Sequence, residues 1–282
     1  MRKGKPMNHL KPSEILEAIM NGAVVKASMP LKKMIIFGLF AGAYIAFAGA
    51  GANMAAFNLL ASPETFGLGK ILSGTIFTAG LMLVVLGGAE LFTGNTTMVA
   101  AAMDRRITAA AMLKNWIIVY ICNFIGSVLI AFMVYYSGGL NAGEGMLGAV
   151  TVKIAAGKVN MDFGAALVSG IMCNWLVCMA VWLSTGAQTT VGKIFSIFFP
   201  IWLFVTAGFE HSVANMFFIP AGIMAAGSPS FAALSGASAE ALANLTWIGM
   251  LVNNLLPVTI GNIIGGGWCV AVGYYTALKD EK

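Results

Sequence analysis

Charge is what this chain has least of. Only 10% of its 282 residues are Asp, Glu, Lys or Arg, against 59% hydrophobic, where a soluble domain carries about 25% charged residues. So few charges exclude a water-soluble globule. Alternation of polar and apolar residues is also missing: the apolar runs are continuous, which excludes a transmembrane β-barrel. Histidine occurs twice, at His9 and His211, and cysteine four times, at 122, 173, 178 and 269. All four cysteines sit within apolar runs without metal-ligand spacing, so they read as reduced packing residues, with neither metal nor cofactor expected. About thirty mostly polar or amphipathic residues precede the first apolar run, a poor match to a cleavable signal peptide.

What is there is a set of apolar stretches long enough to cross a hydrocarbon core of about 30 Å as helices. Six spans are expected, at 34–57, 71–103, 113–137, 163–184, 194–226 and 245–277. Before them, residues 12–27 form an amphipathic helix opened by Pro12, with Ile15, Leu16, Ile19 and Met20 on one face. The fold class is therefore an all-α polytopic membrane protein, residues 1–282 making one membrane domain. The 34 glycines fit close helix contacts in lipid.

The net charge of +5 is not a nucleic-acid signature, because of where it lies. Seven basic residues precede the first span: Arg2, Lys3, Lys5, Lys11, Lys26, Lys32 and Lys33. With both termini cytoplasmic, 13 Lys/Arg lie inside and three outside (Lys70, Lys153 and Lys158). The reverse orientation inverts that bias, so the expected location is a bacterial-type plasma membrane, multi-pass, N-in and C-in.

The second and fifth spans are anomalous. Each covers about 33 residues, about 50 Å as a straight helix, and each has a Gly-rich ionisable centre: Gly87–Asn95 and Ala207–Asn215. Such backbone survives at mid-membrane only where it faces protein or a water-filled cavity, so both spans are expected to be broken, restarting near residues 95 and 213. The centres match at an offset of 120 residues, Gly88 with Gly208, Glu90 with Glu210 and Asn95 with Asn215. Downstream, Asn115, Asn123 and Gly126 echo Asn254, Asn262 and Gly265. Repeat one (34–137, spans 1–3) and repeat two (163–277, spans 4–6) thus form an inverted 3+3 repeat, and paired broken helices point to a site at the midplane.

Two helix starts converging there favour an anion. His211, the one histidine within the apolar region, is a hydrogen-bond donor or proton carrier for it. Thr93, Asn174 and Asn215 are neutral donors, and Lys158 draws anions to the outer mouth. Glu90 and Glu210 are expected to face away from the path and hold the broken backbone by accepting N–H bonds. Phe77, Leu81, Leu91, Phe92, Val177 and Phe204 make up the candidate constrictions, ordinary packing being the alternative.

The segments Gly88-Ala-Glu-Leu-Phe-Thr-Gly94 and Gly208-Phe-Glu-His-Ser-Val-Ala-Asn-Met-Phe-Phe-Ile-Pro220 resemble the two signatures of the formate/nitrite transporter family, and Pro257–Gly267 resembles its last helix. The resemblance runs from about residue 12 to 278. It implies an aquaporin-like protomer in a homopentamer embedded in lipid, with one pore per protomer. It also implies a channel for a small weak-acid anion (formate, hydrosulfide or nitrite). By the same resemblance His211 is the central pore histidine and Thr93 the threonine of the loop breaking span 2. Asn174 pairs with the histidine, and Lys158 stands in the vestibule. Leu91, Phe92 and Val177 match residues of one constriction, with Phe77, Leu81 and Phe204 beside it. Glu90 departs mildly, replacing an aspartate found in some formate channels. No Asn-Pro-Ala motif is present, which counts against a water or glycerol channel. A neutral-solute channel for water or ammonia is the alternative within transport. A membrane enzyme using Glu90, Glu210 and His211 as acid–base groups is the alternative outside it, weakened by the absence of a nucleophile motif or cofactor loop.

Overall fold

A computed structural model describes residues 9–279. Arg2, Lys3 and Lys5 of the basic N-terminal cluster lie outside the described residues. Six helices are long and apolar enough to cross a membrane: Leu31–Ala61, Phe66–Gly87, Ala109–Tyr136, Phe163–Gly186, Thr190–Ala207 and Trp247–Lys279. They are the first to sixth spans below. The first is longer at both ends than its expected 34–57, and the second starts five residues before the expected 71.

The N-terminal helix occupies Pro12–Ala27, as its pattern predicts, and Ile15, Leu16, Ile19, Met20 and Ala23 are buried. It lies against the bundle, packed on the fourth span and on Val99–Met103. Its start is held by the Lys11 backbone N–H, which donates to Glu14 Oε2 at 2.7 Å. The Arg106 guanidinium spans both Glu17 carboxylate oxygens at 2.6 and 2.7 Å. Asp104 in turn accepts from Arg106 and Tyr275 and pairs with Lys279. The N-terminal helix, the connection after the second span and the end of the sixth therefore share one face, called the N-side here.

Both anomalous spans are broken. The second span stops at Gly87, and helix resumes at Phe92–Asn95, tightens through a 3-10 turn at Thr96–Met98 and ends as Val99–Met103. The fifth stops at Ala207 and resumes as Ser212–Ala226. Glycine makes each stop possible. Gly88 and Gly208 have φ of 81° and 80°, the left-handed cap that costs any other residue strain. The restarts come at 92 and 212, earlier than the expected 95 and 213, because Leu91 and His211 are the extended residues just before each helix.

Three helices were not anticipated, Met146–Val159, Pro229–Leu234 and Ala239–Ala243. Met146–Val159 is too short to span, yet it lies buried against Ser212–Ala226. The sixth span is also unusual, winding as a π-helix over Met250–Leu255 and Ile264–Val272. Spans pack backbone to backbone at equivalent glycines. A Cβ on Gly126 would lie 2.2 Å from Leu39 O, and one on Gly265 would lie 2.2 Å from Ile171 O. Along the third span, Ile117, Ile121, Ile125 and Leu129 form an exposed apolar stripe at four-residue spacing.

Candidate functional site: two breaks and two cavities

The two breaks are held by equivalent sets of bonds, each drawn from its own half of the chain. At the first, Asn123 Nδ2 donates to Glu90 O (2.9 Å) and Gly38 O (2.7 Å), while its Oδ1 accepts the Phe92 N–H (2.9 Å). At the second, Asn262 Nδ2 donates to Glu210 O (3.0 Å) and Gly170 O (2.8 Å), and its Oδ1 accepts the Ser212 N–H (2.9 Å). Each asparagine is fully buried and satisfies two backbone groups that the interrupted helix leaves open, while its third bond ties the break to a carbonyl of a neighbouring continuous span. The first N–H of each restarted helix is therefore bound by a side chain, not offered to an anion. The expected attraction of an anion to the two helix starts therefore does not come from these first N–H groups.

The carboxylates follow the same symmetry. Glu90 accepts from Lys26 Nζ at 2.7 Å and Asn95 Nδ2 at 2.8 Å. Glu210 accepts from Lys158 Nζ at 2.7 Å and Asn215 Nδ2 at 2.6 Å, with Asn254 Nδ2 at 3.3 Å. Asn115 and Asn254 extend each network to the Lys26 and Lys158 carbonyls. The two glutamates were expected to bind backbone N–H groups and face away from the path. Instead they bind lysine and asparagine side chains, and each lines a cavity.

One cavity of about 400 Å³ opens on the N-side, lined by Lys26, Lys33, Leu81, Glu90 and Leu91 among others. The second, about 330 Å³, lies toward the far side and is lined by Lys70, Phe77, Lys158, Phe204, Glu210, His211 and Asn215 among others. Phe77 and Phe204 meet edge to face at 5.9 Å, and Phe204 stacks on the His211 ring at 5.9 Å. Neither cavity is lined by Phe92 or Val177. The Phe92 ring is turned onto Tyr120 at 4.9 Å and Trp116 at 6.1 Å, while Val177 is buried on the fourth span.

Between the cavities, Thr93 Oγ1 lies 2.8 Å from His211 Nε2. His211 also caps its own helix, its Nδ1 accepting the Ala214 N–H at 3.0 Å. An acceptor nitrogen carries no proton, so this network places the proton on Nε2, which donates to Thr93. The Thr93 carbonyl is fixed by Asn174 Nδ2 at 3.1 Å, and Asn174 also reaches Asn262 O at 2.7 Å. The Oδ1 atoms of Asn174 and Asn215 have no partner among the described residues. The structure thus joins His211 to Thr93 and Asn174 to the Thr93 carbonyl, without, among the described residues, the direct Asn174–His211 pairing that the resemblance implies. Asn215, Glu210 and Lys158 form the network beside them.

A family model described as formate/nitrite transporter matches residues 13–276. The chain belongs to the formate/nitrite transporter family. A probable formate transporter of Methanothermobacter thermautotrophicus is 40% identical, covering 95% of this chain and 97% of that protein. The formate channel FocA of Haemophilus influenzae is 38% identical over 93% of each chain. A solved pentameric formate channel with formate bound superposes with a TM-score of 0.77 at 33% identity, covering 88% of this chain and 97% of that one. The family assignment makes this chain a multi-pass membrane protein with the broken six-span architecture described above.

Sequence reasoning assigned no role to Lys26, Asn123 or Asn262. The equal asparagine spacing in the two halves was a signal for the last two. Nothing local marks Lys26, which meets its partner 64 residues away.

Proposed function

We propose that this protein is a channel for small monovalent weak-acid anions, with formate first and hydrosulfide and nitrite as further candidates. Transport is linked to protons at His211. The observation that carries this reading is the Thr93–His211 pair between two apolar-walled cavities that hold lysines. The similar proteins named above as formate transporters or channels support formate. The family's solved pentamer supports a homopentamer here, with the exposed stripe on the third span meeting lipid or a neighbouring copy. The Lys/Arg bias supports a cytoplasmic N-side.

The mechanism follows from the cost of a bare anion. In a narrow apolar passage it loses hydration worth, in the Born limit, on the order of tens of kcal/mol, whereas the neutral acid loses far less. Leu81 and Leu91 on one side, with Phe77 and Phe204 on the other, exclude hydrated ions. In the far-side cavity the anion meets positive charge, then the Nε2–H of His211 and the hydroxyl of Thr93. A proton taken up at Nδ1 while the Ala214 bond opens makes the ring an acid. It then passes the Nε2 proton to the anion and is left neutral with the proton on Nδ1. Opening that cap costs about 0.5–2 kcal/mol, small beside the desolvation avoided. The unpartnered Oδ1 of Asn215 accepts hydrogen bonds only, so it welcomes the O–H of a neutral acid rather than an anion.

Parallel uptake of formate, nitrite and hydrosulfide into proteoliposomes at two pH values, with wild type, His211→Ala and His211→Phe, tests the reading. Selective uptake by wild type that loses its pH dependence in both variants is the expected result. Unchanged pH-dependent flux in His211→Phe sinks the proton role while leaving the channel, and no flux of any of the three from an intact oligomer sinks the substrate assignment.

A further inference from the structure

Lysines in the two cavities exist in two conditions. Lys26 and Lys158 are each neutralised by a glutamate at 2.7 Å. Lys70, near the start of the second span, is partly buried and lines the far-side cavity. None of the ion pairs among the described residues includes it. Its position is deep: a Cβ built on Gly208 would lie 3.6 Å from Lys70 Nζ, so the ammonium stands at the break of the fifth span, three residues before His211. The remaining lysine of that cavity, Lys153, is exposed.

An ammonium withdrawn from water without a counter-ion is costly, and Lys70 carries that cost where the path narrows toward the histidine. Lys158 is differently placed. Its ammonium is committed to Glu210 and stands 5.6 Å over the Phe218 ring, so a second anion must compete with a carboxylate already held by two asparagines. We infer that Lys70, and not Lys158, captures the incoming anion in the far-side cavity, while the Lys158–Glu210 pair holds the break. The ligand class is a small monovalent anion with a compact charged end, a short carboxylate above all. This assignment rests on the anion-channel reading and adds to it the residue that supplies the uncompensated charge. Symmetry does not supply it: the offset that relates the two breaks carries Lys70 onto Thr190, which is neutral.

The rival role for Lys70 is structural, capping the C-terminal carbonyls of Thr190–Ala207 beside Gly208. Formate uptake into proteoliposomes from the far side, measured as apparent KM and maximal rate at two ionic strengths, separates the two. The proteins are wild type, Lys70→Gln, Lys70→Arg and Lys158→Gln. Capture predicts that Lys70→Gln raises apparent KM about five- to tenfold with the maximal rate within about twofold, and flattens the salt dependence. Lys70→Arg keeps the charge and stays near wild type, and Lys158→Gln lowers the maximal rate and melting temperature more than it raises KM. An unchanged KM in Lys70→Gln overturns the inference and leaves the channel standing. A fall in maximal rate and melting temperature at constant KM overturns it in favour of the cap. Absence of uptake by wild type overturns the channel reading and this inference together.

Discussion

The first break and the second have one skeleton and different contents. In both, an asparagine from the next span binds three backbone groups, a glutamate pairs with a lysine from a preceding helix, and a glycine in the left-handed region ends the helix. The differences lie at the residues that open each restarted helix. Leu91 stands where His211 stands, Phe92 where Ser212 does, and Thr93 where Val213 does. Each half supplies one member of the central pair, Thr93 from the first and His211 from the second. A duplicated scaffold thus holds a single site, because polar groups that can be symmetric at the rim need not be repeated at the centre.

The shared skeleton should be the least tolerant of substitution. Asn123→Leu leaves Glu90 O and the Phe92 N–H unpaired, and Asn262→Leu leaves Glu210 O and the Ser212 N–H unpaired, at about 1–3 kcal/mol per group. Both should yield little folded protein, with similar loss of thermal stability in detergent. Tolerance of one alone would show that the halves do not share the load. A change at the centre should behave oppositely. His211→Leu gives the second break the first one's cap residue, and it should fold while losing most pH-dependent uptake, about tenfold or more. The corresponding Leu91→Ala should keep the pH dependence and relax size selectivity, read as uptake of larger carboxylates.

Removing the carboxylates is the next smaller test. Glu90→Gln and Glu210→Gln each strand a partly exposed lysine, so both should lower stability by about 1–2 kcal/mol, less than a fully buried pair costs. Glu210→Gln should in addition lower the apparent KM for the anion by freeing Lys158, an effect that Glu90→Gln lacks for uptake from the far side.

The smallest expected effect concerns acid and the N-terminal helix. Hydrogen bonding to Arg106 lowers the Glu17 pKa, and bonding to Lys279 and Arg106 holds Asp104 well below the usual carboxylate range. Depressed carboxylates stabilise the folded form above their ordinary pKa and lose that contribution only as pH falls through the lowered value. Amide protection factors of residues 12–27, with the intrinsic pH dependence of exchange removed, should therefore be the same at pH 7 and pH 5, protection falling only below the ordinary carboxylate range. Release of the helix at pH 5 would show that these pairs do not hold it.

Much of this was legible in sequence because lipid constrains it so tightly. Continuous apolar runs, the two Gly-rich acidic centres and the amphipathic face of Pro12–Ala27 each have one physical solution. Met146–Val159 was not legible: its apolar and β-branched residues show no polar face, since most of its surface is buried, and it is too short to read as a span. The Lys26–Glu90 and Lys158–Glu210 pairs join residues far apart in sequence. Phe92 shows the limit of reading neighbours as partners: adjacent to Leu91 in sequence, it turns onto Trp116 and Tyr120 on the third span.

The asparagine latches also bear on the order in which the chain is made. The segment that restarts at Phe92 leaves the ribosome before Asn123, and the one that restarts at Ser212 leaves before Asn262. Until the following span is inserted, each newborn half-helix has open polar backbone and nothing to bind it. Membrane insertion must therefore hold each broken helix near water or the insertion machinery until its own latch arrives. The first half cannot finish its centre before the second is synthesised, since the Thr93 carbonyl waits for Asn174 and its hydroxyl for His211.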